Sequence, residues 1–355
     1  MDTKNIDNWI QKNTFDVKNY NDYYNLLSIK KIKNLSISVI LPTLEEEKTI
    51  GNILKVLITE LQIKVPLIDE IIVIDGGSKD NTINICNKYK NNITLLHENT
   101  ILTDYKSRKG KGNQLWKGLY HCNSDIVVYM DSDLKNFDER FAIGIIGPLL
   151  TTNNIKFVKG YYDRKLLANS SSSNEGGRVT ELCARPLINI LYPQLSGFIQ
   201  PLSGEYGGYT NILKNIYFNS GYGVEMKILI EILNKYDIDC MGQVNLYSKE
   251  HDHQPLNALT KMSYTIMKTM LKNQLFVDIT NNNKLLIKNI NNNNNNNNNN
   301  LKIRSEQHEH CNSHGSDMKN SYFKYIESDD IDLLPINLID KQLFENNINT
   351  NYEKY

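Results

Sequence analysis

The sequence lacks an excess of charge. Lysine and arginine number 40, aspartate and glutamate 40, and the formal net charge is zero. A basic stripe that would track a phosphate backbone is therefore not expected, and neither is a nucleic-acid partner. Long apolar runs are also missing. No stretch approaches the ~18–20 residues that cross a bilayer, so no membrane span is expected. The opening residues, Met1-Asp-Thr-Lys-Asn-Ile, have neither an apolar signal core nor an Arg-rich presequence. Cysteine is sparse. The five residues Cys86, Cys122, Cys183, Cys240 and Cys311 are odd in number and scattered, which reads as reduced thiols in a cytoplasmic protein. No internal repeat is visible.

What is present centres on Asp125-Ile-Val-Val-Tyr-Met-Asp131-Ser-Asp133. The unbroken apolar run Ile126–Met130 reads as a strand buried on both faces. It ends at two carboxylates, one residue apart. Ligands of open α/β sheets bind outside the carboxyl ends of the strands, and hard oxygen ligands there suit Mg²⁺ or Mn²⁺ beside a diphosphate. Asp-Ser-Asp is equally ordinary turn chemistry, so the triplet alone decides nothing.

The 355 residues suffice for one large domain or two small ones. Residues 1–35 are polar and read as an N-terminal extension with one or two short docking helices around Trp9, Ile10, Tyr23, Tyr24, Leu26 and Leu27. Ile37–Leu41 is a first strand. Ile50, Ile53, Leu54 and Leu57 then follow helical spacing, with Thr43 and Glu46 as a capping box. Ile71–Ile74 is a second strand, and the roughly 30 residues between the two fit a right-handed crossover. A helix over about 80–89, a strand at Ile93–Leu96 and a helix carrying Leu115, Trp116 and Leu119 complete a first half over 36–140. The expected class is α/β, a Rossmann-like mostly parallel sheet flanked by helices.

A smaller second half is expected over 141–280. It holds a strand at Ile155–Val158, a Ser/Gly loop at Ser170–Gly177, and a helix with Val179, Leu182, Cys183, Pro186, Leu187 and Ile190 on one face. A helix over Val224–Tyr236, a strand through Gly242, Val244 and Leu246, and a long helix over Leu256–Phe276 follow. Residues 281–355 read as a low-complexity, largely disordered tail around the tract Asn291–Asn300. Its apolar residues, Ile331, Leu333, Leu334, Leu338, Ile339 and Leu343, form a possible docking segment.

Several motifs carry two readings. Pro42-Thr-Leu44-Glu-Glu46 either lines a nucleoside or caps a helix. Asp75-Gly-Gly-Ser78-Lys-Asp80 either offers backbone N–H groups to a polar ligand or is a turn with Ser78 as N-cap. Gly110-Lys111-Gly112 either meets a phosphate or is a solvated basic loop, and it is not a Walker A sequence. Gly177-Arg178-Val-Thr180 opens a helix with a guanidinium in its first turn, an anion site by geometry; Arg164 is a candidate second cation. Gly221-Tyr222-Gly-Val-Glu225 presents either a sugar contact or a plain helix start. Lys249-Glu-His251-Asp-His253 either completes a cation site with Asp133 or is a surface pair. His308-Glu-His310-Cys311 resembles a zinc cluster only superficially, because no core pattern flanks it.

The order of these motifs resembles the glucosyl-3-phosphoglycerate synthases, retaining glycosyltransferases of the GT-A fold. The resemblance spans about Ile37 to Leu271. It rests on Val-Tyr-Met-Asp131-Ser-Asp133-Leu, Gly177-Arg178-Val-Thr180-Glu-Leu-Cys-Ala-Arg185-Pro-Leu, Gln200-Pro-Leu-Ser-Gly-Glu205-Tyr, Gly221-Tyr222-Gly-Val-Glu225 and Gln243-Val-Asn-Leu with Glu250-His251. It makes 36–140 the nucleotide-sugar-binding half and 141–280 the acceptor-binding half, and it implies a donor pocket of Pro42, Leu44, Glu46, Ser78, Lys111, Asp131, Tyr222 and Glu225. It implies acceptor contacts from Arg164, Gly177, Arg178, Thr180 and His253, and a divalent metal on Asp133 and His251. Asp133, Lys111, Glu225 and Arg178 would carry the chemistry. The sequence departs from the family at His253, where Asn is frequent, at Lys249, where Arg is usual, and at Asp163, the first position of a usual Arg pair.

The reaction implied is transfer of glucose from UDP-glucose to 3-phosphoglycerate with Mg²⁺ or Mn²⁺, in a cytoplasmic homodimer. Three rivals stay open: the mannosyl counterpart using GDP-mannose, an inverting family 2-like transferase, and a sugar-nucleotide-binding protein without turnover.

Overall fold

The computed structural model describes residues 3–103, 105, 109–164, 177–250, 255–272, 284–288, 323–327 and 330–339. The Asn tract, most of the Ser/Gly loop, His251, His253 and the His308–His314 cluster lie outside them.

In chain order the elements are α1 (Thr3–Asn13), β1 (Thr14–Asp16), α2 (Tyr23–Ile32), β2 (Ile37–Thr43), α3 (Ile50–Val56), β3 (Glu70–Asp75), α4 (Thr82–Asn87), β4 (Thr94–His97), α5 (Lys111–His121) and β5 (Ile126–Tyr129). Then come α6 (Arg140–Thr151), β6 (Phe157–Arg164), α7 (Arg185–Leu191), β7 (Tyr206–Tyr209), α8 (Thr210–Leu213), β8 (Phe218–Asn219), α9 (Val224–Tyr236), β9 (Met241–Lys249), α10 (Leu256–Lys272), β10 (Lys284–Lys288), β11 (Phe323–Glu327) and β12 (Asp332–Leu333). Eight strands form one sheet in the order β1-β9-β6-β7-β5-β2-β3-β4. Only β7 in it runs antiparallel to its neighbours, β5 and β6.

The apolar runs form central strands because both of their faces are covered. Ile37, Val39 and Leu41 of β2, Ile71 and Val73 of β3, and Ile126 and Val128 of β5 pack into one core with α2, α3 and α6. Ile40, Ile72, Ile74, Val127 and Tyr129 pack into a second core with α5, α7, α9 and α10. Alternation along each strand thus divides one continuous run between two hydrophobic layers. The mostly parallel α/β sheet expected from the sequence is what forms.

Three details differ from the sequence reading. Residues before Ile37 do more than dock, because β1 joins the sheet edge parallel to β9. Thr43 does not cap a helix. It stays in β2 with its hydroxyl donating to Ile74 O at 3.3 Å, and Thr49 takes the N-cap position of α3. Leu182 and Ile190 are exposed rather than inward. The helix before Pro186 is widened over Thr180–Ala184, which shifts its phase so that Ala184 and Ile188 join the expected Val179 and Cys183 on the buried face. Within the tail, Leu333, Ile336 and Ile339 are buried and β12 pairs with β8, so its apolar residues form a docking segment on the body.

Candidate active site

The carboxyl ends of β2 and β5 are laced together. The Ser132 hydroxyl donates to Pro42 O at 2.8 Å, and the Thr49 hydroxyl donates to Ser132 O at 2.6 Å. This fixes the serine between Asp131 and Asp133, so the two carboxylates are held at the strand end.

A chain of ion pairs runs from there into the protein. Lys111, the first residue of α5, contacts Asp131 Oδ1 at 2.6 Å and Glu225 Oε1 at 2.8 Å. Lys249, the last residue of β9, contacts Asp131 Oδ2 at 2.8 Å and Glu205 Oε1 at 2.7 Å. Two lysines thus meet on one carboxylate, and each carries a glutamate from a further segment. Gly204 allows the approach, because a Cβ there would collide with the Asp131 carboxylate. Burial works against the Asp131 anion, but Lys111 and Lys249 outweigh it and hold that carboxyl well below the usual range. Burial also works against both ammonium groups, and their carboxylate partners raise them well above normal.

Lys249 reaches this chain through a bulge. The β6–β9 register slips between Tyr161 and Asp163, adding one residue to β9, where Tyr247 has φ 66°. A one-residue slip moves side chains to the opposite face. It carries Lys249 off the Gln243 face and over the Tyr162 ring, 5.2 Å from the centroid. Beside this chain lies Lys159, 1 % exposed. Its ammonium donates to Ser203 O at 2.9 Å and sits 4.3 Å from the Tyr206 ring centroid. Burial pushes it down to about 7.

Asp133 stands apart from the chain. Its Oδ1 is buried and has no hydrogen-bond partner. Burial pushes its carboxyl up, and Asp131 adds to the rise. Glu46 is pushed up to about 7, first by burial and then by Asp133. In the ion-pair chain, three carboxylates (Asp131, Glu205 and Glu225) share two ammonium groups (Lys111 and Lys249). Asp133 and Glu46 add two more acids, so the cluster is short of positive charge. An orphaned, buried carboxylate oxygen in such surroundings fits a divalent cation. Among the described residues no group of three His, Cys, Asp or Glu side chains is arranged to hold a metal. Asp133 would therefore need a further ligand, and His251 lies outside the described residues.

The loops after β2 and β3 interlock. The Ser78 hydroxyl accepts from Glu45 N at 3.0 Å, and Asp80 accepts from Glu47 N at 3.1 Å. In return Glu45 and Glu47 accept from Lys79 N at 2.9 Å and Asn81 N at 3.0 Å. Ser78 is therefore not an N-cap; it braces the loop that carries Leu44 and Glu46. Leu44 and Tyr222 are exposed on the loops after β2 and after β8.

The structure thus brings Lys111, Asp131 and Glu225 into contact, and couples Asp133 to Glu46. Gly177 (φ 87°), Arg178 and Thr180 sit together at a helix start, with Arg178 exposed and Thr180 buried. Arg164 ends β6. Sequence reasoning missed Lys159 and Tyr206, and gave Glu205 and Lys249 no binding role. A lysine and a glutamate inside strand-like sequence read as surface. The available signal was the aromatic and apolar residues around them, Phe157-Val158 and Tyr161-Tyr162 about Lys159, and Tyr206 after Glu205.

Residues 38–144 match the glycosyl transferase family 2 profile. The chain is 43% identical over 264 residues to the glucosyl-3-phosphoglycerate synthase of Petrotoga mobilis, covering 74% of this chain and 81% of that protein. A crystal structure of glucosyl-3-phosphoglycerate synthase from Mycobacterium tuberculosis, in complex with Mn²⁺, UDP and phosphoglyceric acid, overlays with a TM-score of 0.71 at 31% identity, over 89% of this chain and 95% of that one. The mannosyl-3-phosphoglycerate synthase of Rubrobacter xylanophilus overlays with a TM-score of 0.77 at 27% identity, over 94% and 98%.

Proposed function

This chain belongs to the glucosyl-3-phosphoglycerate synthase family, and from that membership we propose that it transfers glucose from UDP-glucose to 3-phospho-D-glycerate, releasing UDP. The observation that carries the reading is the contact of Lys111 with both Asp131 and Glu225, beside an Asp133 oxygen that has no partner. In this reading Asp131 meets the ribose and Lys111 the diphosphate. Glu225 and Tyr222 border the glucose. Pro42, Leu44, Glu46 and Ser78 line the uridine.

Asp133 would hold a divalent cation, which when bound neutralises charge on the departing diphosphate. Mn²⁺ is the ion in the Mycobacterium tuberculosis complex, and Mg²⁺ is the second expected activator. Arg178 with the Gly177 and Thr180 backbone, joined by Arg164 and His253, would place the acceptor. Orienting the two substrates supplies much of the rate. The bond from the sugar's anomeric carbon to the phosphate oxygen breaks, and a bond to the acceptor hydroxyl forms on the same face. The acceptor's proton passes to the departing phosphate oxygen, so no carboxylate nucleophile is required. The four described cysteines carry free thiols, which suits a cytoplasmic enzyme. Exposed Leu182 and Ile190 on one helix suit a homodimer contact.

The test is release of the nucleoside diphosphate by the purified protein, UDP from UDP-glucose or GDP from GDP-mannose, with Mn²⁺ or Mg²⁺ and a panel of phosphorylated three-carbon acids. UDP-glucose with 3-phosphoglycerate should be the preferred pair. Preference for GDP-mannose would transfer the reading to the mannosyl reaction. Trapping of a glucosyl-enzyme on Glu225 or Glu205 would overturn the same-face route.

A further inference from the structure

Residues 330–339 lie beyond the Asn291–Asn300 run, far in sequence from the catalytic elements, yet they pack against the loop that carries Tyr222. In that stretch β12 pairs antiparallel with β8, matching Asp332 to Asn219 and Leu333 to Phe218. Ser220 N donates to Ile331 O at 2.9 Å, and Ile331 N donates to the Ser220 hydroxyl at 3.0 Å. The Asn219 side chain in turn accepts from Gly221 N at 2.9 Å and Gly223 N at 3.2 Å. It thereby shapes the turn that presents Tyr222.

The loop's other side rests on α5. Asn113 N donates to Ser220 O at 2.9 Å, and a Cβ on Gly112 would overlap the Asn219 carbonyl. The same ten residues touch three helices, α5, α9 and α10. Trp116 of α5 donates its indole N–H to Leu334 O at 2.8 Å. Asp332 pairs with Lys272 at 2.7 Å and with Lys227 at 3.5 Å, two residues after Glu225 in α9. Leu333 is fully buried, at 0 % exposure. The elements bearing Lys111, Tyr222 and Glu225 therefore share one outer brace.

We propose that residues 330–339 are a positioning strap for the donor-sugar loop. Docked, they hold Tyr222 and Glu225 in the form that recognises glucose. A strap held by a two-residue strand pairing and three buried side chains, Leu333, Ile336 and Ile339, opens more readily than the central sheet, so the strap controls the sugar end of the donor. Lys111 is held from the other side by Asp131, and neither the loops after β2 and β3 nor the acceptor helix at Gly177 takes part in these contacts, so UDP and 3-phosphoglycerate binding should stay unaffected. This inference rests on the glucosyl-transfer reading.

Two full-chain variants test it, Leu333→Ala and Asp332→Asn. The KM for UDP-glucose should rise about tenfold in the first and about threefold in the second, while the KM for 3-phosphoglycerate and inhibition by UDP stay within about twofold. Asp332→Glu should restore the donor KM. An unchanged donor KM in both variants, or an equal rise in all three constants, would overturn the strap. If Leu333→Ala fails to fold, Asp332→Asn, which alters a partly exposed ion pair, decides by the same readings. Should the wild-type protein release no UDP at all, the functional reading fails instead. Hydrogen exchange over residues 219–225 then decides: faster exchange in the variants supports the strap and unchanged exchange overturns it.

Discussion

The two flanks of the central sheet solve different problems with the same backbone. On the β2–β3–β5 flank the strands are apolar along their length, and their polar residues stand at or next to their ends. On the β6–β7–β9 flank, charge enters the interior itself. Lys159 is 1 % exposed, Glu205 0 % and Lys249 3 %. The first flank is a platform whose stability comes from burial of Ile, Val and Leu, and its site residues project from the rim. The second is a scaffold of paired charges, in which removing one partner strands another in a low dielectric. Substitutions at the rim of the first flank should therefore cost activity, and substitutions within the second should cost stability.

The sharpest way to break that contrast is Asp133→Asn. The side chain keeps its shape and loses the charge of an oxygen that has no protein partner. Glucosyl transfer should fall by about 10³-fold or more, with the thermal midpoint unchanged or raised, because a buried anion is removed. A large loss of stability in this variant would erase the difference between rim and scaffold.

Lys249→Met should do the opposite. It leaves the Asp131 and Glu205 carboxylates without the ammonium that both contact, and unfolding free energy should drop by about 3–5 kcal/mol in urea titrations. Lys249→Arg should retain most of it, since the charge remains, even though the guanidinium fork is larger.

A smaller effect separates the flanks by pH. Glu46, at the rim, is pushed up to about 7. Between the ordinary carboxylate range and pH 7 the folded chain keeps this proton while the unfolded chain has lost it. Its contribution therefore makes stability fall as pH climbs through that window. Lys159, in the scaffold, is pushed down to about 7. Above pH 7 the unfolded chain holds this proton longer than the folded chain does, so its contribution makes stability rise from pH 7 towards the ordinary ammonium range. Urea unfolding of the metal-free protein across pH should show both slopes. Glu46→Gln should remove only the first and Lys159→Met only the second.

The same contrast explains what could be read from the sequence. β2, β3 and β5 were legible because they are unbroken apolar runs, and Asp131 and Asp133 because they punctuate one. Lys111, Glu225 and the helix start at Arg178 were legible as motifs in a recognisable order. The interior of the other flank was not legible, since a buried lysine is written no differently from a surface lysine. Only three-dimensional pairing shows that Lys249 bridges Asp131 and Glu205, and a bulge at Tyr247 decides which face Lys249 takes. Thr43 and Glu46 carried the spacing of a capping box, but the strand kept Thr43. Leu182 and Ile190 carried a helical face, but the widened turns before Pro186 rotated it outward. Nothing in residues 330–339 taken alone tied them to the loop of Tyr222.

The central claim is that Asp133 is where a cation joins the end of β5 to the donor's diphosphate. Calorimetric titration of UDP into the wild-type protein and into Asp133→Asn, each with Mn²⁺ and with chelator, tests it most directly. Wild-type protein should bind UDP more tightly with Mn²⁺ than with chelator, and the variant should bind it equally weakly in both. Binding of UDP and Mn²⁺ by the variant as tight as by the wild type would contradict the account.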